Sequence, residues 1–253
     1  MHPLLQTSSS SVNNTEKQFL NLLYQPYKIL FFLPFFFLST IVLGSLVVVL
    51  ATIGWPGLAR KVPVFWARLN AFLLMSKVRV EGFSNIDPKQ SYIVVANHQS
   101  HYDILALYGF LDMDFRWVMK QELRKIPFLG LAGVKLGHVF VDRSNIRRAN
   151  QSIAQVKDQI TNGTSILFFP EGTRSAGIDM LPFKRGAFKM ATDLELPILP
   201  ITINGSGRIL PSKTLNILPG SVELIIHPPI PLDGRTDKEL SPMAREVIES
   251  SLR

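Results

Sequence analysis

The sequence predicts an α/β fold: a largely parallel β-sheet covered by helices, with an N-terminal hydrophobic helical hairpin for membrane attachment. Three observations predict it. From Lys77 onward, short apolar runs alternate with segments of helical periodicity, the pattern of parallel strands joined by helices. Polar and charged motifs follow the ends of those apolar runs, where open α/β sheets place their ligands. Residues 29–55 contain no charged side chain, and a run of that length can cross a bilayer.

The first part of the chain, residues 1–76, is predicted to hold a polar tail and a membrane-embedded helical hairpin. Residues 1–16 are polar and rich in Ser and Asn, so we expect a frayed or disordered tail. Pro56-Gly57 breaks the apolar region, and residues 62–75 then place large apolar side chains at helical spacing. Two alternatives stay open: the first arm spans the bilayer, or the hairpin enters one leaflet only.

The net charge of +8 is concentrated near the N-terminus. Residues 1–79 contain seven Lys and Arg but a single acid, Glu16, so +6 of the charge lies there. Basic residues beside an apolar run indicate an anionic membrane surface, rather than nucleic acid, as the partner. Those that follow Trp55 favour, by the positive-inside rule, a globular domain that faces the cytoplasm.

Residues 77–253 are predicted to form the α/β domain, with strands at the apolar, β-branched runs bounded by polar or turn residues. The runs 92–96 and 165–169 are apolar throughout or nearly so, which is typical of central, buried strands. In chain order, the predicted strands are residues 78–81, 91–96, 115–119, 138–141, 165–169, 197–203 and 222–226.

Helices are predicted between and after these strands, where apolar residues recur at a spacing of three and four. The longest of them, residues 146–160, is amphipathic, and Asn162-Gly163 after it is a helix stop signal. The last is expected to close the chain. In chain order, the predicted helices are residues 104–111, 128–136, 146–160, 186–194 and 238–252.

The stretch from Asn97 to Asp103 is the strongest candidate for chemistry, because it joins a predicted strand to a predicted helix. His98 and Asp103 are separated by four residues, so the loop can fold the carboxylate back onto one imidazole nitrogen and aim the other outward as a base. No serine or cysteine nucleophile is obvious nearby, which suits a substrate that brings its own hydroxyl. The alternative is that Asp103 only caps the following helix.

Three further strand ends carry cations, namely Lys120, Arg143 and Arg174. If the strands are parallel, these side chains gather at the same sheet edge as His98. Guanidinium groups bind phosphate in a forked geometry, and ammonium groups bind it as point charges. The expected substrate therefore carries a phosphate and a hydroxyl. The alternative is that these cations are solvated loop ends or surface ion pairs.

The turn before Arg174 is expected to take part in the same site. Glu171 is expected either to pair with a cation or to hold the turn at Gly172 and Thr173, and Gly172 lets the backbone come close to a ligand. Lys184 and Arg185 add positive charge, and for both of them ligand binding and plain solvation are equally supported.

Other residues exclude several kinds of site. The chain has no cysteine, so disulfides, thiolate metal sites and cysteine nucleophiles are excluded, and a reducing compartment fits. His98 and His101 are three residues apart, but no third ligand accompanies them, and no metal is predicted. His138 and His227 are expected to serve structure rather than chemistry.

Taken together, the motifs resemble those of the 1-acylglycerol-3-phosphate O-acyltransferases, of the bacterial lysophosphatidate acyltransferase type. The resemblance covers Lys77 to about Ile203 well, and the hydrophobic N-terminus loosely. Five blocks carry it in chain order: Asn97-His98-x4-Asp103; Lys120-x-Glu122-Leu123; Gly137, Phe140 and Arg143; Phe169-Pro-Glu-Gly-Thr-Arg-Ser175; and the Pro-rich Leu196–Ile201.

The resemblance implies transfer of a fatty acyl group to the free hydroxyl of 1-acylglycerol-3-phosphate, which gives phosphatidate in phospholipid biosynthesis. His98 is implied as general base and Asp103 as the residue that orients it. Arg174 is implied to bind the phosphate, with Lys120 and Arg143. The donor is acyl-CoA or an acyl carrier protein thioester, a co-substrate, and no cofactor is implied. The implied partners are the membrane and its lipids.

Three alternatives stay open beside this reading. The same His–Asp pair would activate water in a membrane-associated acyl thioester hydrolase. The acceptor is a different lysophospholipid in a second alternative. In a third, the protein binds lipid without turnover, although an intact pair of His98 and Asp103 argues against that.

Overall fold

A computed structural model describes residues 21–142, 160, 163–175, 177 and 179–253. The tail predicted over residues 1–16 and Arg143 lie outside the described residues. So does the helix predicted over residues 146–160, apart from its last residue.

The centre of the fold is a seven-stranded sheet. Its strands are β1 (Lys77–Glu81), β2 (Ile93–Ala96), β3 (Phe115–Lys120), β4 (Val139–Val141), β5 (Ser165–Phe168), β6 (Ile198–Asn204) and β7 (Ser221–Ile226). Among the described residues their spatial order is β1-β7-β6-β2-β5-β3-β4. Strands β2 to β6 are parallel to one another, and β7 pairs antiparallel with β6. Strand β1 pairs with β7 and is parallel to it. The largely parallel α/β prediction is confirmed.

The composition of the strands explains their places in the sheet. Every residue of β2, β5 and β6 is buried, as their nearly continuous apolar sequences require. Val94 of β2 pairs with Leu167 of β5 on one side and Leu199 of β6 on the other, which fixes the central register. Strand β1 alternates exposed and half-buried residues because it lies at an edge.

Seven helices are described around and before this sheet. They are α1 (Asn21–Thr52), α2 (Pro56–Leu73), α3 (Tyr102–Phe110), α4 (Leu129–Lys135), α5 (Gly186–Leu194), α6 (Ser206–Ile209) and α7 (Asp237–Glu249). Two short 3₁₀ helices add Phe83–Asn85 and Gln121–Lys125. Helix α7 begins with a capping box between Thr236 and Glu239.

Helix α1 is long and apolar enough, by length and composition, to cross a membrane; its 32 residues have a mean hydropathy of 2.5. At 1.5 Å per residue it measures about 48 Å, against roughly 30 Å for the hydrocarbon core of a bilayer. It contains a π-helical stretch, Lys28–Phe32. The helix starts earlier than the uncharged run that predicted it, because a lysine does not stop a helix.

The chain divides into two compact units, Met1–Leu38 and Ser39–Arg253. In the described part of the first unit, aromatic rings pack along the helix: Tyr24 lies 5.5 Å from Tyr27, and Tyr27 lies 6.1 Å from Phe31, between ring centroids.

In the second unit, the C-terminal part of α1 packs antiparallel on α2, as a hairpin requires. Trp66 Nε1 donates to Thr40 Oγ1 at 3.1 Å, and Asn70 Nδ2 donates to Ser39 Oγ at 3.3 Å. Val47, Leu50, Ala59 and Val62 form a buried cluster between the two helices.

Helix α2 also packs on α3, and two of its basic residues bond within the protein rather than to a membrane. Arg68 Nε donates to the Gly109 carbonyl at 2.6 Å, and Arg60 pairs with Asp114 at 3.1 Å. Gly109 faces α2, where an added Cβ would lie 3.4 Å from the Ala67 Cβ. Helix α2 precedes residue 76 in the sequence and α3 follows it, so these contacts cross the predicted domain boundary. The division into domains 1–76 and 77–253 stays a prediction.

Candidate active site

The loop between β2 and α3 is fastened at both ends by buried polar side chains. Asn97 accepts a hydrogen bond from the Ile203 amide at 2.7 Å and donates to the Ile203 carbonyl at 2.9 Å, which ties the loop to β6. Ser100 Oγ donates to the Leu210 carbonyl at 2.7 Å and accepts from the Tyr102 amide at 3.0 Å. The loop is therefore fixed independently of any ligand.

His98 and Asp103 form the pair that their spacing predicted. Nδ1 of His98 lies 2.7 Å from Oδ2 of Asp103, and Asp103 is completely buried. The same oxygen accepts hydrogen bonds from the amides of Gln99 and Ser100, each at 3.0 Å. Three donors stabilise the ionised carboxylate, which in turn holds the imidazole proton on Nδ1. The lone pair is then on Nε2, the nitrogen that faces away from the acid.

The alternative role for Asp103, capping α3, is not what the contacts show. Its carboxylate accepts from loop amides that precede the helix, and the amide of Tyr102, the first residue of α3, donates to Ser100 Oγ instead. The negative charge still lies in the first turn of α3, where the helix dipole favours it.

A phenylalanine fixes the plane of the imidazole. The rings of His98 and Phe169 stack with centroids 3.8 Å apart and planes 11° apart. Only 14% of the His98 side chain is exposed. The ring is therefore held on one face by Phe169 and at Nδ1 by Asp103, which leaves little freedom for rotation.

Glu171 connects the His98 loop to a distant segment through backbone hydrogen bonds. Oε1 accepts from the His98 amide at 2.7 Å, and Oε2 accepts from the Leu181 amide at 2.8 Å. The residue is 2% exposed, and this burial raises the pKa of the carboxyl while the two amide bonds partly oppose the rise. The two oxygens of Glu171 thus link the His98 loop to the segment at Leu181.

Arg174 lies beside the same loop. The Ser175 amide donates to the His98 carbonyl at 2.8 Å, which brings the preceding arginine to the edge occupied by the pair. The pKa of His101 is lowered by partial removal of its ring from water, and then by the charges of Arg174 and His98. Among the described residues, no acid pairs with Arg174.

Gly172 and Lys184 meet in the turn before Arg174. Gly172 has φ +74°, a conformation that favours glycine. A Cβ built there would lie 2.8 Å from Lys184 Nζ, so the lysine side chain crosses the glycine directly. The Lys184 amide donates to the Pro170 carbonyl at 2.8 Å, which anchors the lysine to this turn. Thr173, which follows Gly172 in this turn, is exposed.

Lys184 and Arg185 are adjacent in the sequence but have different contacts in the structure. Arg185 donates to Asp237 at 2.6 Å and is committed to the start of α7. Lys184 has no acid partner within the described ranges and lies over the Gly172 turn.

Lys120 lies farther from the pair. It ends β3, two strands from β2 in the sheet, or roughly 10 Å at the usual strand spacing. Its ammonium is 3.2 Å from Glu122, and its side chain is 56% exposed. The structure thus brings together His98, Asp103, Glu171, Gly172 and Arg174, with Lys120 on the rim.

His138 and His227 lie away from this edge. His138, just before β4, is hydrogen-bonded through Nε2 to the Tyr108 hydroxyl and through Nδ1 to the Trp117 amide. Burial lowers the pKa of His138 to about 3, so the ring is neutral at pH 7. His227 pairs with Thr202 at 2.8 Å.

Comparison with known proteins adds independent observations. The model of the Acyltransferase family matches residues 77–204. A 1-acyl-sn-glycerol-3-phosphate acyltransferase of Chlamydomonas reinhardtii is 36% identical over 178 residues, which cover 70% of this chain and 53% of that protein. The alpha form from Homo sapiens is 33% identical over 182 residues, which cover 72% and 64%. The chain thus spans about half to two thirds of the length of these relatives.

A solved structure is similar over nearly its whole length. The crystal structure of the 1-acyl-sn-glycerophosphate (LPA) acyltransferase PlsC from Thermotoga maritima superposes with a TM-score of 0.77 at 30% sequence identity. The superposition covers 92% of this chain and 95% of the other.

Proposed function

Because the chain belongs to the acyltransferase family, as its motifs predicted, we propose that it acylates the free hydroxyl of 1-acylglycerol-3-phosphate and so forms phosphatidate. The observation that carries the proposal is the His98–Asp103 pair at 2.7 Å, on the same loop cluster as an arginine without an acid partner among the described residues. A base and an anion-binding cation are what a phosphorylated alcohol requires.

In the proposed reaction, Nε2 of His98 removes the proton from the acceptor hydroxyl. The oxygen attacks the thioester carbonyl carbon of acyl-CoA or an acyl carrier protein, and a C–O bond forms. The C–S bond then breaks, and the imidazolium returns its proton to the thiolate that leaves. Asp103 keeps the imidazole in the Nδ1–H tautomer and stabilises its positive charge between the two proton transfers.

The phosphate of the acceptor is proposed to bind the basic edge. Arg174 supplies a guanidinium whose planar fork fits a phosphate. Lys120 adds a second positive charge from the rim of the site. Arg143, which lies outside the described residues, is proposed to add a third. Gly172 and Thr173 let the turn approach the ligand, while Glu171 acts through the His98 backbone.

The proposed location is the inner (cytoplasmic) membrane, with the α/β domain facing the cytoplasm. Helix α1 supplies the apolar length, and the acceptor and product are both lipids. The basic residues after Trp55 support this orientation.

The experiment that tests the proposal uses the purified full chain in mixed micelles. We expect phosphatidate to form from lysophosphatidate with acyl-CoA, acyl carrier protein thioester or both, and thiol release to depend on the acceptor. A panel of lysophospholipids with other head groups defines the acceptor. The His98→Gln variant serves as the control without the proposed base.

Three outcomes contradict the proposal. Equally fast thiol release without acceptor would identify a thioester hydrolase. Preference for another lysophospholipid would replace the acceptor. Binding of lysophosphatidate without any turnover, by protein that retains its fold, would identify a lipid-binding protein.

A further inference from the structure

A strip of apolar side chains lies exposed in the segment that follows β3. Ile126, Phe128, Leu131 and Val134 are exposed by 45%, 43%, 52% and 40%, respectively. The strip starts just after the 3₁₀ helix Gln121–Lys125, which leaves β3 at the carboxyl edge of the sheet. It therefore begins on the edge that carries His98.

The strip adjoins the apolar helix α1. Ala132 and Leu136, on the inner side of α4, pack on the cluster that includes Val47 of α1. The Cβ and carbonyl of Phe128 lie against Gly44, where an added Cβ would be 3.5 Å from the phenylalanine Cβ. The exposed side of α4 thus continues the exposed apolar surface of α1.

The backbone at Phe128 is strained to hold this position. Its φ of 62° and ψ of −53° are unusual for a bulky residue, and the Leu129 amide donates to the Pro127 carbonyl at 2.7 Å, which closes a γ-turn. Such a conformation is unfavourable for a residue with a Cβ. The ring is nevertheless left half-exposed, so burial inside the protein does not fully offset the strain.

Positive charges flank the strip. Arg124 and Lys125 precede it, and Lys135 ends it. In the part of the chain that the structure describes, none of the three pairs with an acid. Apolar side chains with basic residues beside them are the composition of segments that lie in the interface of an anionic membrane.

We propose that residues 124–135 form a second membrane-contact surface, which adjoins the apolar helix α1 and lies on an anionic leaflet. Ile126, Phe128 and Leu131 enter the interface, while Arg124, Lys125 and Lys135 contact lipid phosphates. The contact brings the carboxyl edge of the sheet to the membrane surface. This inference rests on the proposed function, because it supplies the route by which a lipid acceptor reaches His98.

The absence of cysteine makes a direct test available. Leu131→Cys and Phe83→Cys are each labelled with an environment-sensitive fluorophore in the full chain, reconstituted into phosphatidylglycerol–phosphatidylcholine vesicles that contain a brominated quencher lipid. Phe83 is the matched control: it is 47% exposed, and it follows β1, which runs opposite to β2, so it lies at the other edge.

We expect strong quenching at residue 131, stronger with more anionic lipid, and little at residue 83. Equal quenching at both residues, or none at residue 131, would overturn the proposal. So would shielding of residue 131 only when oligomers form, which would assign the strip to a second copy of the chain. Because quenching needs no turnover, the result is independent of whether the proposed reaction occurs.

A kinetic measurement tests the link to the acceptor. Leu131→Gln combined with Lys125→Gln is expected to raise KM several-fold for lysophosphatidate presented in vesicles, and to leave KM unchanged for a short-chain, monomeric lysophosphatidate. Phe83→Gln should change neither value. An unchanged KM for the vesicle-bound acceptor in the double variant would contradict the proposed route.

Discussion

The two edges of the sheet contain the same residue types and use them differently. At the amino edge, Asp114 accepts hydrogen bonds from Arg116 at 2.6 Å and from Arg60 at 3.1 Å. These arginines hold the pKa of Asp114 below its usual range, against the effect of burial. His138 is bonded to a phenol and an amide. The adjoining cavity measures 40 Å³, which is enough for very few waters and too small for a lipid phosphate.

At the carboxyl edge, the histidine is bonded to a carboxylate, and two of the cations have no acid partner among the described residues. His98 pairs with Asp103, and neither Arg174 nor Lys184 has an acid partner among the described residues. Charges that are matched inside the protein fasten elements together, as Arg60 fastens α2 to the sheet. Charges that are oriented but unmatched are available to an anionic ligand. This difference supports the proposal that the substrate binds at the carboxyl edge.

The comparison is tested most severely by replacing one histidine at each edge. We expect His98→Ala to lower kcat by roughly 10²- to 10⁴-fold, because it removes the proposed general base. His138→Gln should leave kcat unchanged and lower the free energy of unfolding by about 1–3 kcal/mol, because the Tyr108 hydroxyl loses its partner. Steady-state kinetics and thermal unfolding of both variants are the measurements. Near-normal turnover by His98→Ala would remove the distinction between the edges.

Glu171 sharpens the comparison, because it is a buried acid at the carboxyl edge with a positioning role. We expect Glu171→Gln to lower kcat by up to roughly 10²-fold, since a small displacement of His98 misaligns the base. The acceptor KM should hardly change. Glu122→Gln, at an exposed acid of the same edge, is the control and should retain kcat. A rise in acceptor KM at constant kcat would instead indicate that Glu171 contacts substrate.

Lys184 and Arg185 provide a smaller test within one edge. Lys184→Met is expected to raise KM for the phosphorylated acceptor by roughly two- to fivefold, the effect of one exposed charge pair. Arg185→Met removes the same charge next to it and should leave that KM unchanged, because Arg185 is bound to Asp237. Kinetics with varied acceptor at saturating donor distinguish the two. Equal effects would mean that only the summed charge matters.

At the amino edge, His138 is expected to make the free energy of unfolding depend on pH. His138 has a folded-state pKa of about 3, below the ordinary 6.5, so between these values the unfolded chain binds a proton that the folded chain does not. Stability is therefore lost as the pH falls from 6.5 towards 3, by at most about 1.4 kcal/mol per pH unit from this group. We expect the difference in unfolding free energy between wild type and His138→Gln to shrink over that range. A constant difference would show that His138 does not titrate on unfolding.

Local sequence predicted the strands well because each is a short apolar run with clear ends. The run 165–169, for example, becomes β5 at Ser165–Phe168. The spacing of His98 and Asp103 predicted their contact because both lie in one loop. Alternation of elements does not specify strand direction, so the reversal of β7 and β1 was not predicted.

The roles that escaped the sequence depend on contacts between distant residues. Glu171 bonds to the amide of His98, 73 residues away, and nothing in its own motif indicates that partner. Arg185 donates to Asp237, which lies 52 residues later in the sequence, whereas the neighbouring Lys184 does not. The sequence alone does not distinguish two adjacent basic residues. Phe169 could have been noticed as an aromatic at a strand end, yet its stacking on His98 needs the strand order.

The central claim is that the base and the phosphate-binding arginine act on one acceptor molecule. The most direct measurement compares lysophosphatidate with monoacylglycerol, which lacks the phosphate, in wild type, Arg174→Ala and His98→Ala. Arg174→Ala should lower kcat/KM for lysophosphatidate by roughly 10-fold or more, the worth of one charge-assisted contact, and leave the low activity on monoacylglycerol unchanged. His98→Ala should lower the activity on both acceptors by roughly 10²- to 10⁴-fold. Equal losses on both acceptors in Arg174→Ala would contradict the account.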